Sequence, residues 1–218
     1  MNMARSQTDQ TFRQFITTEI HPVLRKLGFR KQAYSFYKSV ADLYHVIFFQ
    51  QGRSDTLCEG RFTINLGIAS PEVMAIWQGE KATKDISRNI LLYERIGFLM
   101  PEGSDVWWAI GPDTNLSALA DGVRNALMGH GLKFFGRAAF QSTQTLMEAL
   151  RRNELELNLF GAPTIRDEIH AVLLHRGGHL EEAGAMLASL IAGKENRKGL
   201  GGYVSRIREL AARLDLVI

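Results

Sequence analysis

His170, His175 and His179 crowd one short stretch, with Asp167 and Glu168 just ahead of them. Imidazoles at i and i+4 on one helix face are a zinc-binding pattern. His175 and His179 have that spacing, but Gly177-Gly178 between them should end the helix, and no second cysteine or acidic pattern completes a ligand set. No metal is expected, and these side chains read as surface or capping histidines. His45, inside an apolar run, reads as a hydrogen-bonded core residue. Nucleophiles are no better placed. No serine stands in a Gly-x-Ser-x-Gly elbow, and Cys58 sits beside Glu59, whose charge disfavours the thiolate. Glu181-Glu182 and Asp167-Glu168 are neighbours that point different ways on a helix, so they read as solvated faces. Gly199-Leu200-Gly201-Gly202 follows no strand and precedes no Lys-Ser/Thr, so it reads as an inter-helix turn. No cofactor is expected, and no catalytic residue is assigned.

What remains is a surface. Arg25, Lys26, Arg30 and Lys31 interleave with Phe29, Tyr34 and Tyr37, while Arg61, Thr63 and Asn65 form a polar row on one strand. Arginines and aromatics on a sheet suit an RNA platform, through stacking and phosphate contact. They suit a protein-binding face equally well. The competing reading makes Tyr34, Phe36 and Tyr37 core and the cations merely solvated, with the polar row of Arg61, Thr63 and Asn65 covered by the helical tail. Trp107-Trp108 should send one indole to each face of the sheet. The residues singled out for a binding surface are Arg30, Lys31, Tyr37, Arg61, Asn65, Arg95 and Trp108. A cleft built from Arg61, Asn65, Arg95 and Trp108 is the form an enzyme would take.

Composition bounds these options. The 218 residues are 45% hydrophobic and 22% charged, ordinary for a soluble globular chain. Ten basic and ten acidic residues follow position 138, so the net charge of +3 lies ahead of it. One cysteine permits no internal disulfide and suits a reducing compartment. Met1 to Gln10 lacks the apolar stretch of a secretory signal, and no run is long enough to span a membrane. A cytoplasmic protein without a membrane partner is the expectation.

The elements that must carry the surface follow from period and punctuation. Phe12, Phe15, Ile16, Ile20, Val23, Leu24 and Leu27 recur at helical spacing, with a kink expected at Pro22 and a stop at Gly28. Tyr34–Lys38, Tyr44–Gln51 and Arg61–Ile68 read as an antiparallel meander, the last alternating strictly and Gly52–Gly60 forming its loop. Ser70-Pro71-Glu72 starts a helix whose Val73, Ile76 and Trp77 face inward. Ile90–Leu99 and Val106–Ile110 read as further strands, before a helix from Leu116 that ends near Gly129. Beyond Gly136 every segment has helical period, with breaks at Gly161–Pro163, Gly177-Gly178 and Gly199–Gly202.

Three phrases, in this order and spacing, resemble the bacterial domain-of-unknown-function 4304 family over residues of about 8 to 135. They are Gly28-Phe29-Arg30-Lys31 with Phe36-Tyr37; Phe49-Gln50 with Phe62-Thr63-Ile64-Asn65-Leu66-Gly67; and Arg95-Ile96-Gly97 with Trp107-Trp108. That resemblance lends no catalytic residues. Some small bacterial domains of this kind sit near toxin genes and are suspected of immunity or interaction roles. Gly178-His179-Leu180-Glu181-Glu182-Ala183 is similar to the turn of one tetratricopeptide-type hairpin, although a stable array needs at least about three repeats.

The expected architecture is α+β. An antiparallel sheet packs against an N-terminal helix in residues 1–138, and an all-helical extension of three to four helices, 139–218, docks on it. The expected function is non-enzymatic protein binding, of immunity type in one form. Nucleic-acid binding through the basic and aromatic surface is the first alternative, and an enzyme with an unrecognised site the second.

Overall fold

The computed structural model describes residues 3–52, 60–81, 83–155, 163–195 and 197–218. Cys58, the expected loop around it and most of the Gly161–Pro163 break lie outside the described residues. The chain begins with α1 (Met3–Phe15), a π-helical turn (Ile16–Ile20) and α2 (His21–Lys26). Strands β1 (Arg30–Gln32), β2 (Ser35–Val40), β3 (Leu43–Gln51) and β4 (Gly60–Ala69) follow, then α3 (Pro71–Gln78) and β5 (Ile90–Arg95). Next come α4 (Ile96–Leu99), β6 (Trp108–Ile110), α5 (Leu116–Ala126), a second π turn (Leu127–Gly131) and α6 (Leu132–Phe135). Helices α7 (Thr143–Arg151), α8 (Pro163–Arg176), α9 (Leu180–Ile191) and α10 (Gly201–Arg213) complete the order. The fold is α+β. Its antiparallel sheet has the order β1-β2-β3-β4-β5, with β6 paired to β4. No helix among the described residues is long and apolar enough to cross a membrane.

Two compact units share the chain. One comprises Met1–Val40, Tyr44–Gly67 and Tyr93–Arg137. Here Phe12 and Phe15 pack their rings on Phe62 at 5.3 and 5.5 Å, fixing the N-terminal helix on one face of the sheet. Pro22 has no N–H for an α-helical ladder. The chain answers with the π turn just before it, where the His21 amide bonds back to the Ile16 carbonyl. Strand β1 is an addition to the expected meander. It pairs Arg30 with Tyr37, Lys31 with Phe36 and Gln32 with Ser35 across a two-residue turn. Three expected boundaries move, the strand expected from Val106 beginning only at Trp108. The strand from Ile90 stops at Arg95, and the short helix Ile96–Leu99 that replaces it sets Gly97 close against Ser104 and Val106. The helix from Leu116 runs through Gly129 to Phe135, carried by the second π turn.

The other unit comprises Ala41–Leu43, Ile68–Leu92 and Ala138–Ile218. Helix α3 therefore groups with the tail. Ser70 caps it by accepting the Val73 amide at 3.3 Å, and Gly79 ends it at φ 73°. Arg213 of α10 donates to the Ile76 and Trp77 carbonyls at 3.1 and 2.8 Å, satisfying acceptors that the helix end leaves open. Glu168 corrects its expected place on a solvated face. It is wholly buried, and accepts from Trp77 Nε1 at 2.8 Å and from both terminal nitrogens of Arg206. The turn Gly177-Gly178 joins α8 to α9 as a helical hairpin, with Gly178 at φ 81° and Ala183 buried.

Candidate functional site

The sheet of the first unit has two faces. Phe36, Phe49 and Phe62 point to the helical side, where Lys31 also turns and donates to Thr17 Oγ1 at 3.1 Å. Arg30 and its register partner Tyr37 lie on the other face, and the Tyr37 ring stands edge-on to Tyr44 at 6.1 Å. Lys31 and Arg30, adjacent in sequence, therefore do not share a surface.

The polar row of β4 is not a surface either. Thr63 and Asn65 are wholly buried. Thr63 Oγ1 donates to the Val106 carbonyl at 2.8 Å, which shows what covers it, and Asn65 Nδ2 donates to Gln50 Oε1 at 3.2 Å. Only Arg61 of that row reaches solvent.

Arg61 leads to the cluster that sequence reasoning half found. Its guanidinium carbon lies over the Trp107 ring at 4.9 Å from the centroid, and that of Arg95 at 5.4 Å. Asp105 organises the group: Oδ2 accepts the indole N–H at 2.9 Å and pairs with Arg95. Close backbone approach makes room for it. A Cβ on Gly52 would sit 2.7 Å from the Trp107 ring and 2.9 Å from Arg61, while one on Gly97 would overlap the Ser104 carbonyl. Arg61 has no carboxylate partner among the described residues, so its charge is offset only by the indole π face.

Of the four residues imagined around an enzyme cleft, the structure unites Arg61 and Arg95 alone. Asn65 is enclosed, and Trp108 stacks on Phe62 at 5.7 Å on the opposite side of the sheet. The pleat accounts for the two indoles. Phe62 pairs with Trp108 and Arg61 with Ala109, so alternation returns Trp107 to the side of Arg61. Trp107, Asp105 and Gly97 are the residues missed. The signal that identifies Trp107 is this register, which the unpaired sequence does not contain.

In the second unit, Glu148, Arg151, His170, Leu174, Glu182 and Met186 line an open groove of about 420 Å³. Arg151 is already forked to Glu182 at 2.9 and 2.7 Å, and His179 lies 3.5 Å from the same carboxylate. Among the described residues no three His, Cys, Asp or Glu side chains are placed to hold a metal ion. His170 instead supplies a pH signature. Burial and then the Arg166 charge lower its pKa to about 4, against a raising effect from Glu182, with Arg151 adding the smallest lowering effect. Its ordinary value is about 6.5. A lowered folded-state value means the stabilising contribution is complete above pH ~6.5 and is lost as pH falls towards ~4. After discounting for partial exposure, unfolding in urea should show about 1 kcal/mol less stability at pH 5 than at pH 7.5. His170→Gln should remove that difference; an unchanged pH dependence would contradict the assignment.

Among known families, the model described as domain of unknown function (DUF4304) matches residues 20–137. No curated protein and no solved structure matches significantly.

Proposed function

The chain belongs to the DUF4304 family, and on that premise we propose that its sheet-bearing part is a non-enzymatic protein-binding module whose contact surface is the Trp107–Arg61–Arg95 cluster. One observation carries this reading: a half-buried indole lies under two guanidiniums, and one of them has no acidic partner among the described residues. Tryptophan and arginine are the residue types that most often dominate protein interfaces, because each combines a large flat contact area with directed hydrogen bonding. Asp105 holds the indole N–H and Arg95 in place before any partner arrives, so little side-chain entropy remains to be lost on binding. Arg61 is the adaptable member and would meet a carboxylate or carbonyl of the partner. An immunity-type role, in which this face covers a toxin encoded next to it, is one specific form of the reading.

The test uses the whole chain, expressed in its native cells and with the product of the adjacent gene. Wild type should yield a stoichiometric complex. Trp107→Ala should weaken it about 30-fold, matching the ~2 kcal/mol loss typical of a central contact, while Arg197→Ala on the exposed tail should not. Equal affinity in wild type and Trp107→Ala, or no stoichiometric partner, would count against the proposal.

A further inference from the structure

From Ile20 to Ala41 the chain carries five cations, Arg25, Lys26, Arg30, Lys31 and Lys38, and no aspartate or glutamate. The structure sets four of these along the sheet edge formed by β1, Arg30 on the face of Tyr37 and Lys38 on the face of Phe36 beside the end of α2, so a bound chain must wrap that edge. Gly28, at φ 88°, turns the chain sharply from α2 into β1, and the Lys38 amine lies 3.9 Å from where a Gly28 side chain would begin. Arg30 stands opposite Tyr37 in the register, and Arg25, Lys26, Arg30 and Lys38 are all exposed. Lys31 is the exception, being drawn to Thr17. None of the four exposed cations has an acidic partner among the described residues.

A helix C-terminus favours nearby cations, yet here that demand is already met by backbone. The Gly28 amide bonds to the Arg25 carbonyl at 3.0 Å and the Phe29 amide to the Leu24 carbonyl at 3.0 Å. The cations are therefore spare. Beside them, on the face of Arg30, the half-buried rings of Tyr37 and Tyr44 stand edge to face at 6.1 Å. This edge is separate in the sheet from the Trp107 cluster, which is built on β4 and the segment leading into β6.

We infer that this edge binds the backbone of a single-stranded nucleic acid, with Arg25, Lys26, Arg30 and Lys38 meeting phosphates and Tyr37 stacking on a base. Phosphate contact alone would fit any polyanion, but an aromatic ring beside the cations fits unpaired bases. Carboxylate side chains leave the ring without a partner, and a duplex keeps its bases stacked away from it. The inference does not depend on the protein-binding reading.

Fluorescence anisotropy of the full chain with a labelled oligouridine of about twelve nucleotides tests it. Four phosphate contacts predict a log–log salt slope of about −3, and Arg30→Ala with Lys38→Ala should halve it. Tyr37→Leu keeps an apolar side chain at the position but loses the ring; it should weaken binding about tenfold and leave the slope unchanged. The salt arm rests on exposed positions and stands apart from any folding defect at Tyr37. Absence of binding at low salt, an unaltered slope in the double variant, or an unaltered affinity in a folded Tyr37→Leu would overturn the inference. So would poly-glutamate competing as well as RNA at equal charge.

Discussion

Gly97→Ala is expected to destabilise the protein by about 3 kcal/mol and to abolish the arrangement around Trp107. The added methyl would overlap the Ser104 carbonyl oxygen and approach the Val106 amide nitrogen to 2.6 Å. Neither neighbour is the end of a flexible side chain. Both are backbone, so α4 and the segment 104–106 must separate. That segment carries Asp105, which ties Arg95 and the Trp107 indole together, and Val106, whose carbonyl satisfies buried Thr63. Gly103→Ala supplies the contrast. It meets nothing within 4 Å, and its φ of 56° limits its cost to about 1 kcal/mol of left-handed strain. Urea unfolding of the two variants checks the ranking; equal losses would show that the close approach at Gly97 is not real.

Glu168→Ala is expected to cost a similar amount, about 3 kcal/mol, through a different mechanism. The carboxylate is wholly buried and receives Trp77 from α3 and Arg206 from α10, so its loss unties three helices at one point. Hydrogen bonds to a buried charge are worth more than neutral ones, and the indole N–H would be left without an acceptor. Arg206 is 44% exposed and can turn to water, which keeps the cost at the lower end for a broken buried pair. Replacing both charged partners, Glu168→Met with Arg206→Met, should recover part of the loss. A double variant less stable than Glu168→Ala alone would refute this account of the pair.

These two sites also show what a sequence can and cannot disclose. Ser70-Pro71-Glu72 announces α3 because capping, proline geometry and helix polarity are local effects. Alternation from Phe62 to Ile68 announces β4 for the same reason, and the quoted phrases belong to the family that matches. Alternation, however, says only that two faces differ, not whether the second is covered. For Thr63 and Asn65 the pattern leaves open both an exposed row and one covered by the helical tail, and it is Val106 and Gln50 that close on them. Glu168 looked solvated because its partners are distant, Arg206 by 38 positions and Trp77 by 91. Nothing local separates Trp107 from Trp108, because the pairing of Trp108 with Phe62, which decides the face, is a tertiary fact.

If the Trp107 cluster grips another protein, complex formation must remove that indole from solvent while Trp108, stacked on Phe62 at 5.7 Å on the other face, keeps its environment. Hydroxyl-radical footprinting of the free chain and of its stoichiometric complex reads both residues in one experiment. Strong protection at Trp107 with little change at Trp108 is the predicted outcome. Equal labelling of Trp107 in the two states would contradict the proposed surface.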